Sequence, residues 1–121
     1  MLDREGLGYT SNVIGAVDFV VEYKDVLHID VINLSLGHPI LEPAETDPLV
    51  QAVERAVRAG SVVVTSAGNL GRNPETRVIG CAGITSPGNA PSAITVGALN
   101  TRGTTQRSND EVAPFSSCGP T

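Results

Sequence analysis

The chain is poor in aromatic residues and poor in lysine. Among its 121 residues there is no tryptophan, and two phenylalanines and two tyrosines bring aromatics to only 3%. A core must therefore be built from Val, Ile, Leu and Ala, which bury less area per side chain than rings do, and a thin stability margin is expected. Lys24 is the sole lysine, and 13 acidic against 8 basic residues leave a net charge of −5. Without a basic run, nucleic acid is not an expected partner. No stretch approaches the roughly 18 consecutive apolar residues of a membrane span, so no membrane partner is expected either. Met1 to Gly6 holds no apolar signal region. The two cysteines, Cys81 and Cys118, fit no zinc spacing and either stay free or pair.

What is present reads as one small globular domain over residues 1–121, with 40% hydrophobic residues. Val13, Val17 and Val21 recur every fourth residue, with Ile14, Val20 and Leu27 beside them, which predicts a helix from about Asn12 to Leu27 with Ser11 as N-cap. Asp30 to Leu36 is almost wholly apolar, the mark of a strand in a parallel sheet. Asp47-Pro48 reads as an N-cap followed by a first-turn proline. Leu49, Val53, Ala56 and Val57 then form one apolar stripe, Glu54 and Arg58 are spaced to pair, and Gly60 sits where a terminating glycine belongs. Ser61 to Ala67 is a second strand and Ala93 to Leu99 a third. Two strand–helix–strand steps imply parallel pairing, right-handed crossovers and both helices on one sheet face. Asn69 to Pro91 has no periodicity, and so long a patternless segment points to a functional loop. Thr101 to Asn109 is a polar turn, and Ala113 to Ser117, holding Pro114, is at best a short C-terminal edge strand. The fold class is thus α/β, a parallel-sheet portion of a three-layer architecture.

Val62-Val63-Val64-Thr65-Ser66-Ala67-Gly68-Asn69 carries the most chemical information. A buried strand runs into small residues and a tight turn that presents Asn69. A carboxamide held there can donate an N–H to a developing oxyanion. Taken alone, Gly68-Asn69 reads as a plain turn, since both residues tolerate positive φ. With Val31-Ile32-Asn33-Leu34-Ser35-Leu36-Gly37 before it and Phe115-Ser116-Ser117-Cys118-Gly119-Pro120 after it, the pattern resembles the central part of the catalytic domain of the subtilisin-like serine proteases. The likeness runs from about Leu2 to Thr121. It departs from the family pattern at Ser66, at Leu70 and in the insertion-like Arg72 to Gly83.

The resemblance implies that Asn69 is the oxyanion-hole donor. It implies that Ser35, Leu36 and Gly37 form one rail of a substrate cleft and Gly6, Leu7 and Gly8 the opposite rail. Ser66, Ala67 and Gly68 would wall the primary specificity pocket, with Thr85 to Gly88 near its base. The substrate is then a peptide or protein, no cofactor is needed, and any structural calcium belongs to the complete enzyme. It also implies a secreted enzyme whose Asp, His and Ser lie outside these 121 residues. The family's histidine stands in a His-Gly-Thr type context and its serine in a Gly-Thr-Ser-Met-Ala type context. His28, His38, Ser66, Ser116 and Ser117 have neither. In the family, the second sheet face is covered by the helix that carries the nucleophile. An alternative is a non-catalytic module that self-associates through a bare sheet face. A nucleotide-binding domain is disfavoured, because Gly6-Leu7-Gly8 lacks a third glycine and a preceding strand. Asn33-Leu34-Ser35 fits a glycosylation acceptor but falls in a strand expected to be buried.

Overall fold

A computed structural model describes residues 4–72, 75, 78–80 and 83–119. The elements in chain order are α1 (Thr10–Leu27), β1 (Val31–Leu34), α2 (Pro48–Arg58), β2 (Val62–Ser66), β3 (Ile94–Val96), β4 (Leu99–Asn100), a short 3-10 turn (Arg107–Asn109) and β5 (Glu111–Val112). The first three strands form one sheet in the order β1-β2-β3. Both pairings are parallel, with Val31 opposite Val62 and Val64 opposite Ile94. This is the expected α/β architecture.

Side chains alternate across a strand, so one register decides which residues each face receives. Ile32, Leu34 and Val63 point to the helices and are buried with Val13 and Val17 of α1 and Leu49, Val50, Ala52, Val53 and Ala56 of α2. Burying each large aliphatic side chain contributes about 1.5–3 kcal/mol before conformational entropy is subtracted. The opposite face carries Val31, Val62, Ile94 and Val96, which remain 59%, 46%, 54% and 50% exposed. Both helices thus lie on one side of the sheet. Asn33, expected to be buried, is exposed on the open side and donates from Nδ2 to Ser35 Oγ at 3.1 Å.

The helix ends show which local signals decide. Asp47 caps α2, its Oδ1 accepting from the N–H groups of Leu49 at 2.8 Å and Val50 at 3.3 Å. At the other end, Gly60 N–H donates to Val57 O and Ser61 N–H to Ala56 O, with Gly60 at φ +93. That is a Schellman closure, which needs a residue free to adopt the left-handed conformation. Tyr9, not Ser11, occupies the N-cap of α1 and makes no side-chain cap bond; Ser11 lies inside the helix. Glu54 turns away from Arg58 and accepts from the backbone N–H and hydroxyl of Ser92, both at 2.9 Å. Arg55 reaches across to Asp18 of α1 at 2.7 Å and fastens the two helices.

The third strand is shorter than the sequence suggests. After Val96 the chain leaves the sheet at Gly97, and Leu99–Asn100 pairs antiparallel with Glu111–Val112 in a separate two-stranded ribbon. The short C-terminal strand is therefore β5, placed before Ala113 to Ser117 and not on the edge of the main sheet. Ala113 to Ser117 itself forms a turn, with Ser116 N–H donating to Ala113 O at 2.9 Å. Arg102 and Glu111 pair across the ribbon at 2.8 Å, and that bond and charge raise the Arg102 pKa further.

Candidate functional site

In a parallel sheet the loops that leave the carboxyl ends of the strands gather at one edge, where ligands bind. Here β1 runs out into Ser35-Leu36-Gly37-His38, and β2 into Ala67-Gly68-Asn69. Two concavities meet along the first of these segments. One, of about 350 Å³, lies between Gly6-Leu7-Gly8 and Ser35-Leu36-Gly37-His38, over Val13 and Leu49. The other, of about 460 Å³, lies between Ser35–Pro39 and Ser66, Gly68, Asn69, Leu70 and Thr85. The structure thus brings together both sequence-predicted rails, and sets Asn69, exposed, on the rim of the second cleft.

Ala67 is placed differently from its neighbours. Ser66 and Gly68 line the second cleft, whereas Ala67 is buried and faces a third cavity, of about 510 Å³, beside β3 and the ribbon. The two-residue alternation of an extended chain sends it to the other side. Its carbonyl still shapes the cleft by accepting from Thr85 N–H at 3.0 Å.

The walls are cross-braced. Ser66 Oγ donates to Leu36 O at 3.2 Å, tying the end of β2 to the rail. The rail in turn pairs with the aperiodic segment: His38 N–H donates to Ser86 O at 3.0 Å, and Ser86 N–H to His38 O at 2.9 Å. Thr85 stands between Gly37 and Gly68. A Cβ on Gly37 would come 2.7 Å from Thr85 Oγ1, and one on Gly68 2.9 Å from Thr85 Cγ2. Gly68 also has φ +105. Close packing and backbone sign both demand glycine there.

Ser117 is the residue that sequence reasoning missed. Its backbone N–H donates to Gly68 O at 2.9 Å, its Oγ accepts from Leu70 N–H at 3.0 Å, and its hydroxyl donates to Gly83 O at 2.7 Å. The residues on either side of Asn69 are therefore pinned by one side chain and its own amide. Nothing local in Ser116-Ser117-Cys118 signals this, because the contact spans 47 positions. Ser116 plays a parallel part, its Oγ accepting from Ala98 N–H at 2.9 Å where the chain leaves β3.

The remaining candidates fall elsewhere. His28 closes α1 in the left-handed region, at the end of the sheet opposite Asn69. Cys118 is disulfide-bonded, while Cys81 lies outside the described residues. Among the described residues no group of three His, Cys, Asp or Glu side chains is placed to hold a metal ion.

The subtilase family model matches residues 1–121. Serine protease AprX of Bacillus subtilis (strain 168) is 39% identical over 126 residues, covering 100% of this chain and 27% of that protein. Subtilisin E of the same organism is 35% identical over 119 residues, covering 98% of this chain and 26% of the relative. Sphericase superposes with a TM-score of 0.76 at 27% identity, covering 97% of this chain and 34% of that one. A structure titled S41 psychrophilic protease gives 0.72 at 30% identity, covering 97% and 34%. The chain thus spans about a quarter of the length of these curated relatives. On sequence and on fold, the chain belongs to the subtilase family.

Proposed function

We propose that these residues form the oxyanion-donor and substrate-cleft portion of a subtilisin-like serine endopeptidase. A peptide substrate lies along Ser35-Leu36-Gly37, with Gly6-Leu7-Gly8 as the facing rail, and adds its backbone to theirs as an extra strand. One substrate side chain enters the cleft walled by Ser66 and Gly68. Asn69 Nδ2–H donates to the carbonyl oxygen as it becomes an oxyanion. The nucleophile and general base come from outside these 121 residues, and the enzyme acts outside the cell. The observation that carries this reading is the exposed Asn69 on the rim of the 460 Å³ cleft that the Ser35-Leu36-Gly37 segment also lines. In the complete enzyme, Asn69→Leu lowers kcat with little change in KM, because the bond forms in the transition state. The scale, about 10²–10³, is one established on a subtilisin and carried over. An unchanged kcat with the fold intact sinks the assignment.

A second reading, a non-catalytic module that self-associates, is favoured by the open sheet face. Val31, Val62, Ile94 and Val96 form a contiguous apolar surface beside unpaired strand edges, which suits a second copy of this chain. Sedimentation separates the readings: a monomer at about 100 µM with cooperative unfolding of several kcal/mol rejects self-association.

A further inference from the structure

His38 is shared by both clefts and, among the described residues, is the only ionisable residue lining either. Every other lining group is glycine, an aliphatic residue, a hydroxyl or the Asn69 amide. Of the described acidic residues nearest in sequence to the lining, Glu5 and Glu42 are exposed and Asp47 is buried as the cap of α2, and none of the three lines either cleft. No charged residue of α1, or of the described part of the aperiodic segment, lines them either. The ring is held in place. The His38 backbone is bonded in both directions to buried Ser86, and Nδ1 lies 2.8 Å from Pro39 O. A carbonyl only accepts, so Nδ1 carries a proton, and Nε2 is the ring's remaining polar atom. Neutral, Nε2 is an acceptor; protonated, it donates and the ring carries a full charge.

We infer that His38 selects substrate: it makes the cleft prefer peptides bearing a carboxylate side chain beside the segment seated on Ser35-Leu36-Gly37. The imidazolium Nε2–H donates to that carboxylate, a charge-assisted bond with no competing anion among the described lining residues. The preference fades as the ring loses its proton. This rests on the peptide-cleft reading above, and adds a determinant of which peptides are taken. His38 is a specificity residue here and moves no proton in the reaction.

The test uses the 121-residue chain and fluorescent hexapeptides, scanned with a single Glu, Gln or Lys at each position, by anisotropy. At about pH 5.5, where glutamate is still ionised, the best Glu peptide binds about three- to tenfold tighter than its Gln counterpart, and Lys at that position binds weakest. At about pH 8 the Glu and Gln peptides converge. In His38→Gln the preference is gone at both pH values while the Gln peptide still binds. Equal affinity of Glu and Gln peptides for the unaltered chain at the lower pH overturns the inference, as does a Glu preference that survives in His38→Gln. Binding without charge preference refutes the role of His38 alone; failure of every peptide to bind refutes the cleft reading and this inference with it. The comparison on the unaltered chain stands even if the variant does not fold.

Discussion

Replacing Ser117 by alanine tests whether the Asn69 turn is held by a clamp from far along the chain. Ser117 is 3% exposed, and its hydroxyl serves Leu70 N–H at 3.0 Å and Gly83 O at 2.7 Å. Alanine removes both bonds and leaves both backbone groups without a partner. Each lost bond costs about 1 kcal/mol, and more where water cannot replace it. The Leu70 side chain is half exposed, so solvent recovers part of the loss there, whereas the Gly83 carbonyl sits beside Leu70 and the buried Ser117. The sum is about 1.5–3 kcal/mol, a large share of the 5–15 kcal/mol of an ordinary domain. The backbone bond from Ser117 N–H to Gly68 O survives, so the turn loosens on its Leu70 side only. Urea unfolding of the variant should show that loss at unchanged m-value, and amide hydrogen exchange should rise at Leu70 while residues in α2 keep their protection relative to global stability. A loss below about 0.5 kcal/mol, or exchange at Leu70 no faster than before, would refute the clamp.

Four further outcomes are expected. Gly68→Ala, which meets Thr85 Cγ2 at 2.9 Å with φ +105, should cost about 2–4 kcal/mol, read by thermal or urea unfolding; a loss under about 1 kcal/mol contradicts the packing described. Asp47→Ala should cost about 1–2 kcal/mol, while Asp47→Asn, which keeps the Oδ1 acceptor and drops a charge whose Oδ2 is buried without a bond, should cost less than half as much; equal losses in the two variants contradict the cap. On the proposed reading, in which these residues supply binding rails and an oxyanion donor but neither nucleophile nor base, the 121-residue chain by itself should not hydrolyse a chromogenic peptide, because only a small residue of catalysis is left; turnover that survives repurification and is abolished by a fluorophosphonate overturns this. Val62→Lys on the open face, where Val62 is 46% exposed, should shift any dimer toward monomer in sedimentation without lowering stability by more than about 0.5 kcal/mol; a variant that associates as before rules out that face.

The sequence by itself determined the elements whose signals are local. The Asp47-Pro48 start and Gly60 end of α2 were legible because a cap bond spans three residues and a left-handed closure needs glycine. The valine spacing of α1 and the apolar runs of β1 and β2 were legible because helix and strand periods are set within a few residues. The same locality placed Asn69 at the end of β2, and with the matching segments on either side it disclosed the family. What the sequence left undecided depends on distant partners. Whether Ala67 faces the cleft lined by Ser66 and Gly68 or the cavity behind it follows from the register of β2 between β1 and β3. The third strand stops at Val96 because Leu99 and Asn100 find Glu111 and Val112, a choice that propensity over seven residues does not contain. Ser117 became the clamp beside Asn69 through a contact 47 positions away, and His38 became, among the described residues, the one ionisable residue lining two clefts because the fold set the others away from their walls. Strand register, cross-braces and the electrostatics of a cleft are sums over residues far apart in the chain, and only folding brings their terms together.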